Sequence, residues 1–287
     1  MNNLTLDYNL SKNSWFGLGG NAKKYFAPRN ENELINFIKN NMEEKYIPIG
    51  SGSNILFRDK GCLETIIKLH NDFEKTKIEN DKLYCGAGVL KNQISKFALD
   101  NNISNFEFLS CIPGTMGGGV AMNAGCFGYE FKDILSHISG INKLGEKIVL
   151  KKQNIKFDYR QSHLPNDFII TQIALNITYG TKHKIQKKIA ELKKRKLNAQ
   201  PSKIKTGGST FKNPENTIKA WELIKKSGCD KIKFGGVKFS DLHCNFIENQ
   251  GSSAKDVEDL INYTIEQVKK KFNIILEPEI KIIGEKK

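Results

Sequence analysis

Residues 205–214, KTGGSTFKNP, present a hydroxyl directly after two adjacent glycines. Paired glycines allow a backbone to pass unusually close to another group. No histidine lies near Ser209 in the sequence, and its neighbours do not match the nucleophile elbow of serine hydrolases. Nucleophilic attack is therefore a poor explanation for Ser209, and the residues alone leave open what a serine on such a loop would do.

A second pattern that could do chemistry is Gly50-Ser51-Gly52-Ser53-Asn54, directly after a short apolar stretch that predicts a buried strand. Successive small residues allow backbone N–H groups to converge on phosphate oxygens, and the three polar side chains add donors. The pattern lacks the third glycine of GxGxxG and the Lys-Ser/Thr of a Walker loop. A glycine-rich turn without a ligand explains these five residues equally well.

Residues 112–128, IPGTMGGGVAMNAGCFG, form a third pattern with six glycines in 17 residues. Glycine at this density destabilises any regular element, so it is expected where the backbone approaches a flat, bulky ligand. The interleaved valine, methionines and phenylalanine argue against a disordered segment. With residues 50–54, this loop predicts a dinucleotide bound between two lobes.

The charge of the chain favours anionic partners. Lys+Arg 45 against Asp+Glu 31 gives a formal net charge of +14, which attracts nucleic acid, an anionic membrane or a phosphorylated small molecule. Much of the excess lies in residues 182–196, where Ile185, Ile189 and Leu192 predict one face of a basic amphipathic helix. No aromatic residues interleave with these lysines as a single-strand binding surface would require. A solvated helix face explains the segment without any partner.

Other classes of protein are disfavoured by what the sequence lacks. The sequence contains no run of about 18 apolar residues, which a membrane-spanning helix would need. The first residues also lack a signal-peptide pattern, so we expect a cytoplasmic protein. The six cysteines form no CxxC pair and the five histidines show no metal-ligand spacing. We therefore expect reduced thiols and no metal.

The positions of the expected elements predict an α+β protein in two or three lobes. Asn30 to Glu33 resemble a capping box that begins a helix with an apolar face. Short strands dominate residues 73–180, whereas residues 217–228 and 253–272 have helical periodicity. Residues 274–284, IILEPEIKIIG, predict a final strand.

Five segments occur in an order and spacing that resemble one enzyme family. They are GSGSNILF (50–57), IPGTMGGGVAMNAGCFG (112–128), YRQSHL (159–164), GGSTFKNP (207–214) and LEPEI (276–280). Through these segments, the chain resembles the UDP-N-acetylenolpyruvoylglucosamine reductases, flavoenzymes that make UDP-N-acetylmuramate for peptidoglycan. The resemblance extends over residues 15–280. The length is similar to that of the shorter class, which lacks an inserted loop with a substrate-binding tyrosine.

The resemblance implies a two-lobed FAD-binding fold, like that of vanillyl-alcohol oxidase relatives, plus a C-terminal α+β substrate-binding domain. The implied ranges are 1–72 for lobe 1, with 272–287 packing back on it, 73–190 for lobe 2, and 191–271 for the substrate domain. FAD would bind non-covalently, since no histidine or cysteine is clearly placed for attachment. The implied FAD contacts are Gly50, Ser51, Gly52, Ser53, Asn54, Pro113, Gly114, Thr115, Gly118, Asn123 and Gly125.

The same resemblance implies a reaction and a catalytic set. NADPH would reduce UDP-N-acetylglucosamine enolpyruvate through FAD, with hydride delivered to C3 and a proton to C2. Ser209 would donate that proton, and Arg160 and Glu279 would flank the enolpyruvyl group. Glu277 would share a face with Glu279 in an ideal strand, so the choice of Glu279 depends on the motif.

The alternatives for these residues are a turn serine for Ser209 and a surface glutamate for Glu279. Tyr159, Lys212 and Asn213 are expected to contact substrate, although a core tyrosine explains Tyr159 equally well. His243 lies in a family-like stretch, and we assign it no chemistry. Cys126 and Gly119 stand where the family more often has alanine.

The sequence is also compatible with two rival functions. Another flavoprotein of the same fold would keep the glycine loops but would not need the serine loop. A basic nucleic-acid-binding protein would explain the lysines but not the glycine loops. We expect neither nucleic-acid binding nor an obligate protein partner, and the sequence leaves the oligomeric state and the choice between NADPH and NADH undetermined.

Overall fold

The computed structural model describes residues 3–214, 218–251 and 253–286. Its α-helices in these ranges are α1 (Glu31–Asn40), α2 (Lys91–Asp100), α3 (Met116–Ala121), α4 (Phe131–Ile134), α5 (Lys182–Ala199), α6 (Ala220–Ser227) and α7 (Ala254–Phe272). Its strands up to residue 100 are β1 (Leu4–Asn9), β2 (Asn21–Phe26), β3 (Tyr46–Ile49), β4 (Ile55–Phe57), β5 (Cys62–Lys68), β6 (Thr76–Glu79) and β7 (Lys82–Gly86).

The later strands are mostly short. They are β8 (Ile103–Ser104), β9 (Gly125–Cys126), β10 (Tyr129–Glu130), β11 (Leu135–Ile141), β12 (Lys147–Lys151), β13 (Lys156–Asp158), β14 (Gln161–His163), β15 (Ile169–Asn176), β16 (Thr178–Tyr179), β17 (Lys233–Phe234), β18 (Val237–Phe239), β19 (Ile247–Asn249) and β20 (Lys281–Ile283). Single 3-10 turns cover Leu10–Asn13, Asn71–Glu74, Glu107–Cys111, Lys152–Asn154 and Cys229–Lys231. This mixture of helix and sheet confirms the α+β prediction.

The chain forms two compact units, each assembled from separate segments. The first unit contains the described residues up to 5 together with 24–50 and 64–196, and the second contains 6–23, 51–63 and the described residues from 197 onward. The three domain ranges expected from the sequence divide the chain differently from these two units, and they stay a prediction.

An antiparallel five-stranded sheet, in the order β12-β11-β15-β7-β6, forms the centre of the first unit. β15 lies in the middle of this sheet, and six of its eight residues are buried. Its near-continuous apolar sequence therefore reflects cover on both faces. β3 pairs in parallel with β5 in the same unit, which confirms the strand predicted for residues 46–49.

In the first unit, the cap of α1 and the basic face of α5 follow their sequences, but Glu33 does not complete the predicted capping box, because its carboxylate accepts from the N–H of Arg29 at 2.9 Å. Asn30 caps α1, because its side-chain oxygen accepts a hydrogen bond of 2.9 Å from the backbone N–H of Glu33. In α5, Ile185 and Leu192 are buried and Ile189 is half-buried, whereas most of the lysines are exposed. The predicted basic amphipathic helix is therefore confirmed.

The second unit is built on the antiparallel sheet β17-β18-β19 with α6 and α7. Its core includes Phe211, Val237 and Ile247, which are almost fully buried. β20 pairs in parallel with β4. Of the strand expected over residues 274–284, only Lys281–Ile283 is regular.

Candidate functional site

The serine loop of the second unit is extended and is paired on both sides. Ser209 lies opposite Phe246, and the N–H of Thr210 donates to the carbonyl of Asn245 at 2.7 Å. On the other side, Phe211 lies opposite Pro278. The segment around Ser209 is therefore held as a short central strand between residues 245–246 and 277–279.

The backbone of Glu279 is bonded directly to the residue that follows Ser209. The N–H of Glu279 donates to the carbonyl of Thr210 at 2.8 Å, and the N–H of Lys212 donates to the carbonyl of Glu277 at 2.9 Å. These bonds flank Pro278, which thus occupies a non-hydrogen-bonded position where its missing N–H costs nothing. The second unit brings the predicted residues Ser209 and Glu279 onto neighbouring strands.

Two glycines set the path of the loop before Ser209, each for a different reason. Gly208 has φ +80°, in the left-handed region that glycine adopts without strain. Gly207 has no room for a side chain, since a Cβ there would lie 2.5 Å from the ring of Phe16. The close approach that the paired glycines predict is therefore, at Gly207, an approach of the backbone to the core residue Phe16.

Ser209 and Thr210 have different surroundings. Successive side chains of an extended chain point to opposite faces. Ser209 is half-buried, and its hydroxyl makes no hydrogen bond within the described part of the chain. Thr210 is fully buried. Of the two hydroxyls, that of Ser209 is the one that solvent or a substrate can reach.

A buried asparagine that sequence reasoning missed holds the serine loop. The side chain of Asn245 accepts from the N–H of Phe211 at 3.0 Å and donates to its carbonyl at 2.9 Å. Asn245 is 5% exposed, so no water competes for these bonds. The only signal in the sequence was the family-like stretch around His243, which did not reveal a contact 34 residues along the chain.

His243 supports the same turn. Its Nδ1 accepts from the N–H of Asn245 at 3.2 Å, and its ring lies edge-on to that of Phe246 at 5.1 Å between centroids. Burial lowers the pKa of His243, which favours the neutral ring that can accept this bond. These contacts give His243 a role in shaping the backbone around Asn245.

The two predicted substrate residues after Ser209 both have partners within the protein. Lys212 forms an ion pair with Glu277, with Nζ and Oε1 2.6 Å apart. The side-chain oxygen of Asn213 accepts from the N–H of Ala220 at 3.1 Å, so Asn213 caps the beginning of α6. Their substrate contacts stay a prediction.

The first glycine-rich turn also belongs largely to the second unit. The amide of Asn54 donates to the carbonyl of Glu279 at 3.1 Å, and the N–H of Lys281 donates to the carbonyl of Asn54 at 3.0 Å. Gly208 lies near Ser53, since a Cβ on it would be 3.8 Å from the Ser53 carbonyl. This turn is therefore next to both Glu279 and the serine loop.

The turn offers a donor suited to a phosphate group. Ser51 Oγ is buried and has no hydrogen-bond partner among the described residues. A buried hydroxyl without a partner is costly, and a diphosphate oxygen would satisfy it. Gly50, in the first unit, has no room for a side chain, since a Cβ there would lie 2.5 Å from Thr115 Oγ1. These observations fit the predicted FAD contacts.

The second glycine-rich loop, in the first unit, is tightly organised. Thr115 caps α3, because its Oγ1 accepts from the N–H of Gly118 at 3.4 Å. The buried amide of Asn123 donates to Glu130 Oε2 at 3.1 Å and to the carbonyl of Asp158 at 3.2 Å, and accepts from the N–H of Lys132 at 3.1 Å. Asn123 thus fixes the loop, and its FAD contact stays a prediction, as do those of Pro113, Gly114 and Gly125.

Arg160 lies on the two-residue turn of the β13–β14 hairpin. Its φ is +58°, in the left-handed region that costs a non-glycine residue about 1–2 kcal/mol. Its Nη2 donates to the carbonyl of Gly125 at 2.8 Å, and its guanidinium carbon lies 4.8 Å from the ring centroid of Tyr159. Strained backbone of this kind often marks a functional position.

No helix in the ranges that the structure describes combines the length and apolar character of a membrane-spanning segment. Within the same ranges, no group of three or more histidine, cysteine, aspartate or glutamate side chains could hold a metal ion. All six cysteines are free thiols.

Comparison with known proteins gives two domain matches and full-length relatives. Residues 22–149 match the FAD binding domain, and residues 200–283 match the C-terminal domain of UDP-N-acetylenolpyruvoylglucosamine reductase. The enzyme of that name from Pelagibacter ubique is 43% identical over 98% of this chain and 94% of its own length. That from Rickettsia rickettsii is 42% identical over 97% of this chain and 95% of its own.

A solved structure shares the fold. The crystal structure of UDP-N-acetylenolpyruvylglucosamine reductase from Thermus caldophilus matches with a TM-score of 0.85 and 30% identity, covering 98% of each chain. Together with the FAD binding domain match, this confirms the predicted fold class, an FAD-binding part followed by a C-terminal α+β part.

Proposed function

Since this chain belongs to the UDP-N-acetylenolpyruvoylglucosamine reductase family, we propose that it reduces UDP-N-acetylglucosamine enolpyruvate to UDP-N-acetylmuramate with NADPH. The protein is an FAD-dependent oxidoreductase. The observation that carries the assignment to this reaction is the pairing of the serine loop with the Glu279 strand, which sets a reachable hydroxyl beside a carboxylate-bearing residue.

When bound, FAD supplies the relay of hydride from NADPH to C3 of the enolpyruvyl group. Ser51, with its buried and unpartnered hydroxyl, and the backbone of residues 50–54 would hold the diphosphate. Asn123 would keep the second glycine loop in shape through its three hydrogen bonds. The attachment is non-covalent.

Ser209 would supply the proton. Addition of hydride at C3 leaves negative charge at C2, beside the substrate carboxylate, and a strong carbon base of this kind can take a proton from a neutral hydroxyl. Ser209 therefore needs placement more than it needs an activating histidine. The Oγ–H bond breaks as the C2–H bond forms, and solvent restores the proton of the alkoxide.

Arg160 and Glu279 would act on the charge that develops. A guanidinium can bind the substrate carboxylate through two parallel hydrogen bonds and stabilise the enolate as it forms. Glu279 would orient a water molecule or polarise that carboxylate as a protonated acid. The left-handed backbone of Arg160, held against an intrinsic cost, supports a functional role.

The basic charge of the chain suits its proposed substrates, because NADPH and the sugar nucleotide both carry diphosphates. NADPH as the reductant is also consistent with a cytoplasmic location, which we retain as part of the proposal. Nucleic acid and a protein partner have no part in this reaction.

Three spectroscopic observations test the function. The purified protein should be yellow, NADPH should bleach its flavin absorbance without oxygen, and the enolpyruvyl sugar nucleotide should restore it. A flavoprotein that oxidises alcohols or sugars would bleach with those compounds and not be restored by the enol ether. A colourless protein that binds DNA tightly at physiological salt would overturn the proposal, since weak electrostatic binding is lost under those conditions.

A further inference from the structure

Ser162 is the one buried residue of the β13–β14 hairpin, residues 156–163, which carries Arg160. It is 9% exposed, whereas every other residue of this range is half-buried or exposed. Its Oγ donates a hydrogen bond to the carbonyl of Val120 in α3, across 42 positions of the chain. The hairpin is therefore joined to α3 by a directional bond at its most buried position, and the proposed reaction gives Ser162 no part.

The hairpin depends on contacts outside itself for its position. Within the part of the chain that the structure describes, β13 and β14 pair only with each other, over three residues each. A two-stranded hairpin by itself is marginally stable in water. Phe157 and Leu164 pack against the core of the first unit, but apolar contacts are non-directional. Hydrogen bonds must therefore fix the direction in which the turn points.

Three hydrogen bonds join the hairpin to the second glycine-rich loop. They run from Asn123 Nδ2 to the carbonyl of Asp158 at 3.2 Å, from Arg160 Nη2 to the carbonyl of Gly125 at 2.8 Å, and from Ser162 Oγ to the carbonyl of Val120. The bonds at positions 158 and 162 lie on either side of the turn, so they hold both strands that lead to Arg160. Strained backbone persists only where its surroundings over-determine it, and these bonds provide that restraint for the φ of +58° at Arg160.

We propose that Ser162 is a positioning residue for Arg160, an inference that rests on the proposed function of Arg160 in the reaction. The hydroxyl of Ser162 ties the strand after the turn to a fixed point at the end of α3. The guanidinium of Arg160 is thereby held in the place from which it binds the substrate carboxylate. A misplacement of about 1 Å can reduce a rate about 10²-fold, so loss of this one bond should be visible in turnover.

Replacement of Ser162 by alanine removes the bond without leaving a buried polar group unpaired. The carbonyl of Val120 keeps the hydrogen bond that it accepts from the N–H of Asn123 at 2.9 Å, and alanine has no polar side-chain atom to bury. The penalty for an orphaned buried acceptor therefore does not arise, and thermal unfolding should change little. A slower reaction in Ser162→Ala would then report the placement of Arg160 and not the loss of the fold.

Stopped-flow measurements on the flavin-loaded enzyme test the inference. We expect Ser162→Ala to slow reoxidation by the enolpyruvyl substrate about 10-fold to 10²-fold, while reduction by NADPH changes by no more than about twofold. Ser104→Ala is the matched control in the first unit, because Ser104 Oγ also donates to a distant carbonyl, that of Thr178 at 3.0 Å, but joins β8 to β16. The control should keep the wild-type rates of both half-reactions.

A double-mutant cycle shows whether Ser162 acts through Arg160. Arg160→Lys lacks the planar two-pronged donor, so adding Ser162→Ala to it should slow reoxidation by no more than about twofold further. Independent sites have effects that multiply in rate. Full multiplication of the two single effects would therefore overturn the positioning role, and so would a Ser162→Ala enzyme that reoxidises at the wild-type rate.

Hydrogen exchange of the flavin-loaded enzyme, measured without substrate, separates this inference from the proposed function. The backbone amides of residues 156–163 should exchange at least about tenfold faster in Ser162→Ala than in the wild type or in Ser104→Ala. Unchanged exchange would overturn the inference whatever the reaction rates. Faster exchange together with full turnover by Arg160→Lys would instead refute the proposed role of Arg160, and the docking of the hairpin by Ser162 would stand.

Discussion

Replacement of Asn245 by leucine tests whether the loop around Ser209 is held by its backbone bonds. Leucine has a similar size but removes both hydrogen bonds to Phe211. The N–H and the carbonyl of Phe211 then remain buried without partners. Each such group costs about 1–3 kcal/mol, so the free energy of unfolding should fall by about 2–6 kcal/mol.

The catalytic effect should be selective. Phe211 is two residues from Ser209, and a misplacement of about 1 Å can reduce a rate about 10²-fold. In stopped-flow measurements, reoxidation of the reduced enzyme by the enolpyruvyl substrate should slow about 10²-fold. Reduction by NADPH should change by no more than about twofold, because it needs no proton from Ser209.

Asn249 provides a matched control, since it is also 5% exposed and also bonds two backbone groups. Its side chain donates to the carbonyl of Phe16 at 2.9 Å and accepts from the N–H of Gly251 at 3.0 Å. Asn249→Leu should lose similar stability without the selective effect on reoxidation. If Asn245→Leu folds poorly, Asn245→Asp keeps the acceptor and should lose about 1–3 kcal/mol. An Asn245 variant that is less stable but reoxidises at the wild-type rate would refute the reasoning.

Four further predictions concern other residues and the cofactor. Ser209→Ala should slow reoxidation by substrate about 10²–10⁴-fold with little change in NADPH-dependent reduction, Ser209→Cys should retain part of the rate, and equal slowing of both half-reactions would contradict the proton-donor role. Arg160→Gly should abolish most turnover yet change the free energy of unfolding by no more than about 1 kcal/mol, because glycine removes the strain of φ +58°; a large loss of stability in denaturant titrations would mean a structural arginine. Burial lowers the pKa of Lys91 to about 7, so the unfolded chain binds more protons above that pH and stability should rise toward pH 10; Lys91→Met should flatten this rise, and an unchanged profile would be inconsistent with the shift. Denaturation followed by desalting should release all FAD, whereas flavin retained on the chain would show a covalent bond.

The sequence was sufficient for features that depend on neighbouring residues. The cap at Asn30, the basic face of α5 and the strand at residues 46–49 follow from local patterns, because their hydrogen bonds or apolar faces span only a few positions. The FAD-binding fold and the family followed from the five motifs in order. The catalytic roles of Ser209, Arg160 and Glu279 stay predictions.

Features that depend on the pairing of distant segments could not be derived from local patterns. Asn245 contacts Phe211 across 34 positions, and nothing near it in the sequence specifies that partner. Strand periodicity likewise could not show which of Glu277 and Glu279 is the candidate catalytic residue, because both fall on one face of an ideal strand. The structure gives them different surroundings, because Glu277 has a side chain that is 69% exposed and paired with Lys212, whereas Glu279 is half-buried.

The backbone around Pro278 holds Glu279 beside the loop that carries Ser209. The two backbone bonds on either side of it fix Glu279 against Thr210, and neither of them uses the side chain of Ser209 or of Glu279. Asn245 fixes Phe211 in the same way. Because main-chain groups and one buried amide hold the strands, the side chain at position 209 contributes little to folding. Substitutions there should therefore separate activity from stability, whereas substitutions at Asn245 should affect both.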